Sequence, residues 1–176
     1  MKEIELKILN INPKEITKKL LKLGAKSFGE RFIIEKHFDF PNGRISNSKE
    51  SFRLRKLGNK NELAYKHSLI KDKNFKIYEE IETEIINYDD MEKIIKKLGL
   101  DMIKYKEKKR ISFILKNLKI EIDKYPNIPP YLEIEGNEKD IKSLLKDLGY
   151  SLSQTTNMNA TNVLKHYNVD SNFQKF

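Results

Sequence analysis

The chain has 176 residues, with 35 Lys and Arg against 26 Asp and Glu, a formal net charge of +9, 38% hydrophobic and 35% charged residues. That length fits one domain, its apolar content is too high for a disordered chain, and no run reaches the roughly 18 apolar residues of a membrane span. The absence of Cys excludes disulfides, thiol catalysis and Cys-ligated zinc or iron–sulfur sites. The opening MKEIELKI carries acids where a secretion signal would be continuously apolar, so the chain reads as cytoplasmic, with no membrane association. The excess positive charge points first to an acidic or phosphate-bearing partner.

Taken in chain order, alternation and β-rich composition predict strands over Lys2–Leu9, Arg31–Phe40, Ser51–Leu57, Glu62–Ser68, Phe75–Ile86, Lys106–Leu115, Leu118–Lys124 and Tyr131–Glu135. Turn signals separate many of them: Pro41-Asn42-Gly43, Gly58-Asn59, Asn117, and Pro126-Asn127 with Pro129-Pro130. Helices are predicted over Pro13–Leu23, closed by Gly24; Asp89–Leu98, closed by Gly99; Asn137–Leu148, closed by Gly149; and Thr161–Tyr167. The expected organisation is a single α+β domain over residues 1–168 with a short tail over 169–176.

Strand parity sorts the charges. Glu3, Glu5 and Lys7 share one face of the first strand, opposite Ile4, Leu6 and Ile8. Arg53 and Arg55 oppose Phe52 and Leu54; Glu80, Glu82 and Glu84 oppose Ile81; Lys108 and Arg110 oppose Ile111 and Phe113. Glu121 and Asp123 oppose Ile120 and Ile122, and Glu133 and Glu135 oppose Leu132 and Ile134. Two arrangements satisfy this pattern. One is an antiparallel sheet with a solvated charged face. The other closes eight strands into a barrel with the charges inside, where such a lumen can hold one small ligand. A lumen of mixed carboxylates and guanidinium groups is costly unless a bound species neutralises both. A metal-bound polyphosphate would. The carboxylates Glu3, Glu5, Asp123, Glu133 and Glu135 are hard oxygen donors, suited to Mg²⁺ or Mn²⁺.

The ordered set of motifs resembles the CYTH domain, or triphosphate tunnel metalloenzyme, superfamily. Its elements here are Glu3-Ile4-Glu5-Leu6-Lys7, His37-Phe38-Asp39-Phe40-Pro41, Phe52-Arg53-Leu54-Arg55, Lys66, Glu80-Ile81-Glu82, Lys108-Lys109-Arg110, Glu121-Ile122-Asp123, Glu133-Ile134-Glu135 and Lys165. The resemblance implies a closed eight-stranded antiparallel β-barrel, the triphosphate tunnel, with helices packed outside. It implies Mg²⁺ or Mn²⁺ on Glu3, Glu5, Glu133, Glu135 and Asp123. Phosphate contacts would come from Lys7, Arg53, Arg55, Lys66, Lys108, Arg110 and Lys165, with Glu82 lining the same site. The expected ligand is a triphosphate-bearing small molecule: tripolyphosphate, ATP or thiamine triphosphate.

His37 stands where hydrolytic relatives often carry Tyr, which there works with a lysine at the Lys66 position. An imidazole with a pKa near 6.5 could serve as general base at neutral pH, or simply contact phosphate. The resemblance implies hydrolysis of a triphosphate first, with class IV adenylyl cyclase chemistry, ATP to cyclic AMP and diphosphate, as the alternative. A non-catalytic module binding polyphosphate or RNA ends is the reading from outside enzymology. The basic runs Lys18-Lys19, Lys96-Lys97 and Lys106–Arg110 lie among acids and lack interleaved aromatics, which argues against a nucleic-acid surface. Lys36, Lys56 and Lys109 fall on the opposite parity and are expected in solvent. Monomer and homodimer are both left open.

Overall fold

The computed structural model describes residues 2–71 and 76–176, with side chains described except at residues 2–3, 68–71 and 76–78. Eight antiparallel strands form a closed ring. They are β1 (Lys2–Ile8), β2 (Lys26–Asp39), β3 (Glu50–Leu57), β4 (Lys60–Lys71), β5 (Lys76–Ile85), β6 (Asp101–Leu115), β7 (Leu118–Lys124) and β8 (Tyr131–Glu135). The order β2-β3-β4-β5-β1-β8-β7-β6 is closed by pairing of β6 with β2, from Lys26 opposite Ile114 to Asp39 opposite Asp101. This is the closed barrel of the two arrangements that parity allowed. A ninth strand, β9 (Phe173–Gln174), adds in parallel to β6 at Tyr105 and Lys106. It lies in the stretch read from sequence as a tail. The predicted start of the fifth strand, Phe75, lies outside the described residues. β2 and β6 begin five residues earlier than alternation indicated, because each pairs with the other along most of its length.

The helices are α1 (Pro13–Lys22), α2 (Arg44–Asn47), α3 (Tyr88–Lys97), α4 (Glu138–Leu148) and α5 (Ala160–His166). Four start at an asparagine: Asn12, Asn87, Asn137 and Asn159 each accept from backbone N–H groups of the first turn. The four-residue α2, which the sequence did not announce, is held by Asp39. Its Oδ1 accepts from the Ile45 N–H at 2.8 Å and its Oδ2 from the Ser46 N–H at 2.9 Å.

The apolar sides of the strands face outward, under the helices. Leu6, Ile8, Phe113, Ile120, Ile122, Leu132 and Ile134 pack against Ile16 and Leu20 of α1 and Ile141, Leu144, Leu145 and Leu148 of α4. A smaller cluster sets Phe38 and Leu54 against Ile45 of α2 and Ile95 of α3. The third joins Val163 and Leu164 of α5 to Tyr125, Ile128 and Tyr131 at one end of the barrel. The core is therefore a shell around the barrel, and the barrel's interior is left to the charged face. Among the described residues no helix is long and apolar enough to cross a membrane.

Candidate active site in the barrel lumen

The interior is a cavity of about 1060 Å³. Strand pairing turns Glu5, Lys7, Glu133 and Glu135 inward together, since Glu5 pairs with Glu135 and Lys7 with Glu133. Carboxylate oxygens of Glu5, Glu133 and Glu135 all lie within 4.8 Å of one another, and all three side chains are buried. Glu135 is presented by the strand end at Gly136, whose φ of +154° and approach to Leu118 leave little room for a Cβ. The Lys7 ammonium bridges two of the acids, 3.0 Å from Glu5 Oε1 and 2.9 Å from Glu133 Oε2. Lys119 lies 3.0 Å from Glu135 Oε2. Burial pushes the Glu135 carboxyl up to about 8, with Lys119 only partly opposing and Glu121 and Glu133 adding to the rise. Burial would raise Glu133 too, but Lys7, Arg110 and Lys108 hold it well below the ordinary range. Three buried carboxylates with oxygens this close together are a hard-oxygen donor set that fits Mg²⁺ or Mn²⁺. The Glu3 side chain lies outside the described residues; its backbone pairs with Tyr78 of β5.

Asp123, expected among the metal ligands, does not join this cluster. It is fully buried behind it, where Arg110 grips it in bidentate fashion, Nε to Oδ1 at 2.5 Å and Nη2 to Oδ2 at 2.6 Å. Lys108 at 3.1 Å and the Tyr131 hydroxyl at 3.2 Å complete its shell. Its lone pairs are spent on orienting cations, and burial is outweighed by Arg110 and Lys108, which hold its carboxyl low. Arg110 also pairs with Glu121 and lies 3.8 Å from Glu133.

The opposite wall carries Arg53, Arg55 and Lys66. Arg53 lies 3.8 Å from Glu35, 3.5 Å from Glu62 and 3.6 Å from Glu80. Arg55 pairs with Glu62 and lies 3.8 Å from Glu35 and 3.7 Å from Glu82. Lys66 is 2.7 Å from Glu80. Glu82 is half-exposed; burial and the neighbouring Glu62 raise its carboxyl. Glu35 binds Lys108 at 3.2 Å and accepts from the Tyr125 hydroxyl at 3.4 Å. Burial alone would raise it, yet Lys108, Arg53 and Arg55 keep it well below its usual value.

His37 lines the cavity with Nδ1 3.1 Å from Ser51 Oγ. Burial pushes its pKa down to about 3; Glu35 opposes this, while Lys106, Arg53 and Lys104 add to the fall. The imidazole is therefore neutral at physiological pH, far from the value of 6.5 on which the general-base reading rested. Lys165 also departs from expectation: it is exposed on α5 and lies outside the cavity lining. Lys36, expected in solvent, is partly covered by α3 and pairs with Glu92 at 2.5 Å. Glu35, Glu62, Lys104, Lys106 and Lys119 share the lumen or its wall without having been singled out, and Glu121, placed on the charged face but given no role, joins them. Parity could have found each, since Glu35 alternates with His37, Glu62 with Lys66, and Lys106 with Lys108.

Known proteins bear on this geometry. The CYTH domain family model matches residues 1–165. The chain belongs to the CYTH domain family. A candidate adenylate cyclase of Methanocaldococcus jannaschii is 28% identical over 141 residues, 80% of each chain. The solved structure of a Pyrococcus horikoshii protein superposes with a TM-score of 0.74 at 26% identity, covering 88% of this chain and 94% of that one. A Hippeastrum protein described as a candidate adenylyl cyclase with a dominant triphosphatase activity shares the fold, with a TM-score of 0.62 at 16% identity, covering 95% and 88%. CYTH membership and the tunnel agree: a closed barrel with a charged interior is what the family resemblance implied.

Proposed function

We propose that this CYTH protein is a divalent-metal-dependent hydrolase that binds a triphosphate in the barrel and splits it into diphosphate and phosphate. The observation that supports it most is the pairing inside the lumen. Lys7, Arg53, Arg55 and Lys66 each pair with a carboxylate that a phosphate oxygen could replace, and Lys108 and Arg110 line the same cavity. Arginine forks match phosphate in bidentate fashion and lysines add point charge. Bound Mg²⁺ or Mn²⁺, held by Glu5, Glu133 and Glu135 with Glu3 on the same strand face, would supply positive charge to the phosphoryl oxygens.

The chain's own residues do the rest. Arg110, locked by Asp123, and Lys108 offer fixed donors that need no reorganisation on binding. Arg53, Arg55 and Lys66 exchange their glutamates for phosphate oxygens. His37, with Nδ1 on Ser51, keeps Nε2 for the attacking water or a phosphate oxygen, and acts as a neutral hydrogen-bonding group beside Lys66. Enclosure by the barrel limits bulk water around the developing charge.

A second reading is favoured by the named Methanocaldococcus relative: attack of a ribose 3′-hydroxyl on the α-phosphate of ATP, releasing diphosphate and cyclic AMP. The same clamp serves both, and they differ in which phosphorus faces the nucleophile. Incubation with tripolyphosphate, ATP and thiamine triphosphate in Mg²⁺ or Mn²⁺ separates them. Phosphate with diphosphate as products supports hydrolysis; cyclic AMP as the main product of ATP overturns it. Saturable binding with no turnover in either metal would leave a non-catalytic binding module.

A further inference from the structure

The inward face of β6 carries four cations at alternate positions: Arg110, Lys108, Lys106 and Lys104, all of which line the cavity. Alternate residues of a strand are roughly 6.6 Å apart, so this row runs for about 20 Å along the lumen. The first two cations are each paired with two carboxylates: Asp123 and Glu121 for Arg110, Glu35 and Asp123 for Lys108. The second two are not. Among the described residues neither Lys106 nor Lys104 forms an ion pair; Lys106 donates to the Thr161 hydroxyl at 2.9 Å and is 1% exposed.

The register makes this unexpected. Glu35 pairs directly with Lys106 across β2 and β6. Its Oε1, however, lies 3.2 Å from Lys108 and 3.8 Å from both arginines, on the clamp side. Lys106 is left as a buried ammonium whose hydrogen bond goes to a neutral hydroxyl and not to a carboxylate, an arrangement that is costly until an anion arrives. Burial pushes it down to about 8, with Lys104 and Lys108 adding to the fall against the pull of Glu35 and Asp170, as befits a cation lacking its counter-ion. Lys104 is lowered in the same direction by burial and by Lys165.

We propose that Lys106 and Lys104 form an anion subsite beyond the triphosphate clamp, so that the tunnel prefers a chain with a fourth phosphate over one with three. The proposal rests on the triphosphate reading of the clamp and extends it towards the α5 end of the barrel. A neutral organic group placed there would leave Lys106 uncompensated; a further phosphate satisfies it. The same chemistry is presented by inorganic tetrapolyphosphate and by a nucleoside tetraphosphate.

Titration calorimetry in EDTA, which suspends metal-dependent turnover, tests this with tripolyphosphate, tetrapolyphosphate, ATP and adenosine 5′-tetraphosphate. The wild-type protein is expected to bind the four-phosphate member of at least one pair about tenfold more tightly, the scale of a charge-assisted contact. The pair that shows the gain identifies the inorganic or the nucleoside-capped source. Lys106→Met should erase the gain while leaving tripolyphosphate within about twofold, and Lys106→Arg should keep most of it. Equal affinity for three and four phosphates in the wild type overturns the subsite, and that comparison needs no variant to fold. Equal losses for both chain lengths in Lys106→Met would overturn it as well. If tripolyphosphate does not bind at all, with or without Mg²⁺, the clamp reading falls and the subsite falls with it.

Discussion

The two walls of the lumen hold their charges differently. On the β6–β7–β8 wall, Asp123 is gripped bidentately by Arg110 and sits fully buried, backed by the large apolar cluster under α1 and α4. On the β3–β4–β5 wall, Arg53 divides itself among three glutamates at 3.5–3.8 Å, and Glu82 is 46% exposed at its side chain. The first wall is a fixed array; the second is a set of near-equivalent pairings that can be exchanged. One wall thus sets where a ligand sits, and the other adapts to it.

The largest expected effect breaks the fixed wall. Asp123→Ala strips a buried guanidinium and ammonium of their shared counter-ion and should cost about 3–5 kcal/mol, read as a drop in urea midpoint. Glu82→Ala, on the adaptable wall, should change stability by less than about 1 kcal/mol. Comparable losses would erase the distinction. Next, Arg55→Ala should weaken tripolyphosphate binding by about 10- to 100-fold in calorimetry, with the loss greatest at low salt.

A smaller effect belongs to Asp39, whose caps on α2 hold its carboxyl below the ordinary value although burial opposes this. Because the folded pKa is depressed, its contribution is present above the unfolded value near 4 and is lost as pH falls through the folded one. Asp39→Asn should therefore cost about 1 kcal/mol at neutral pH and progressively less in acid, measured as the gap between wild-type and variant urea midpoints. The smallest concerns His37. With its pKa near 3, it is neutral from pH 5.5 to 8, so His37→Gln should leave the shape of the kcat/KM profile unchanged in that range even if the rate falls. Loss of a limb near pH 6.5 would support the general-base reading.

Much of this fold was legible because the polar residues of the strands are charged. Alternation such as Glu5-Leu6-Lys7 assigns faces without ambiguity, and the Asn or Gly at helix ends marks their limits. Whether the charged face turned inward was not legible from parity, since an open sheet alternates identically; only the β2–β6 pairing closes the ring. The roles of Asp123 and His37 were illegible for a different reason. Each depends on which cations converge on it from other strands, and spacing along one strand carries no information on that. Lys36 shows the same limit: its exposure was decided by Glu92, 56 residues away on α3.

The Lys7 bridge between Glu5 and Glu133 has a consequence for ion choice. An ammonium tethered by its own backbone competes for those oxygens at an effective concentration set by the tether. Dissolved sodium or potassium, each bringing one charge, gains nothing over the occupant it would have to evict. A doubly charged ion would, and displacing the ammonium would leave it available to a phosphate oxygen. The side chain that bridges the acids would thus discriminate by valence.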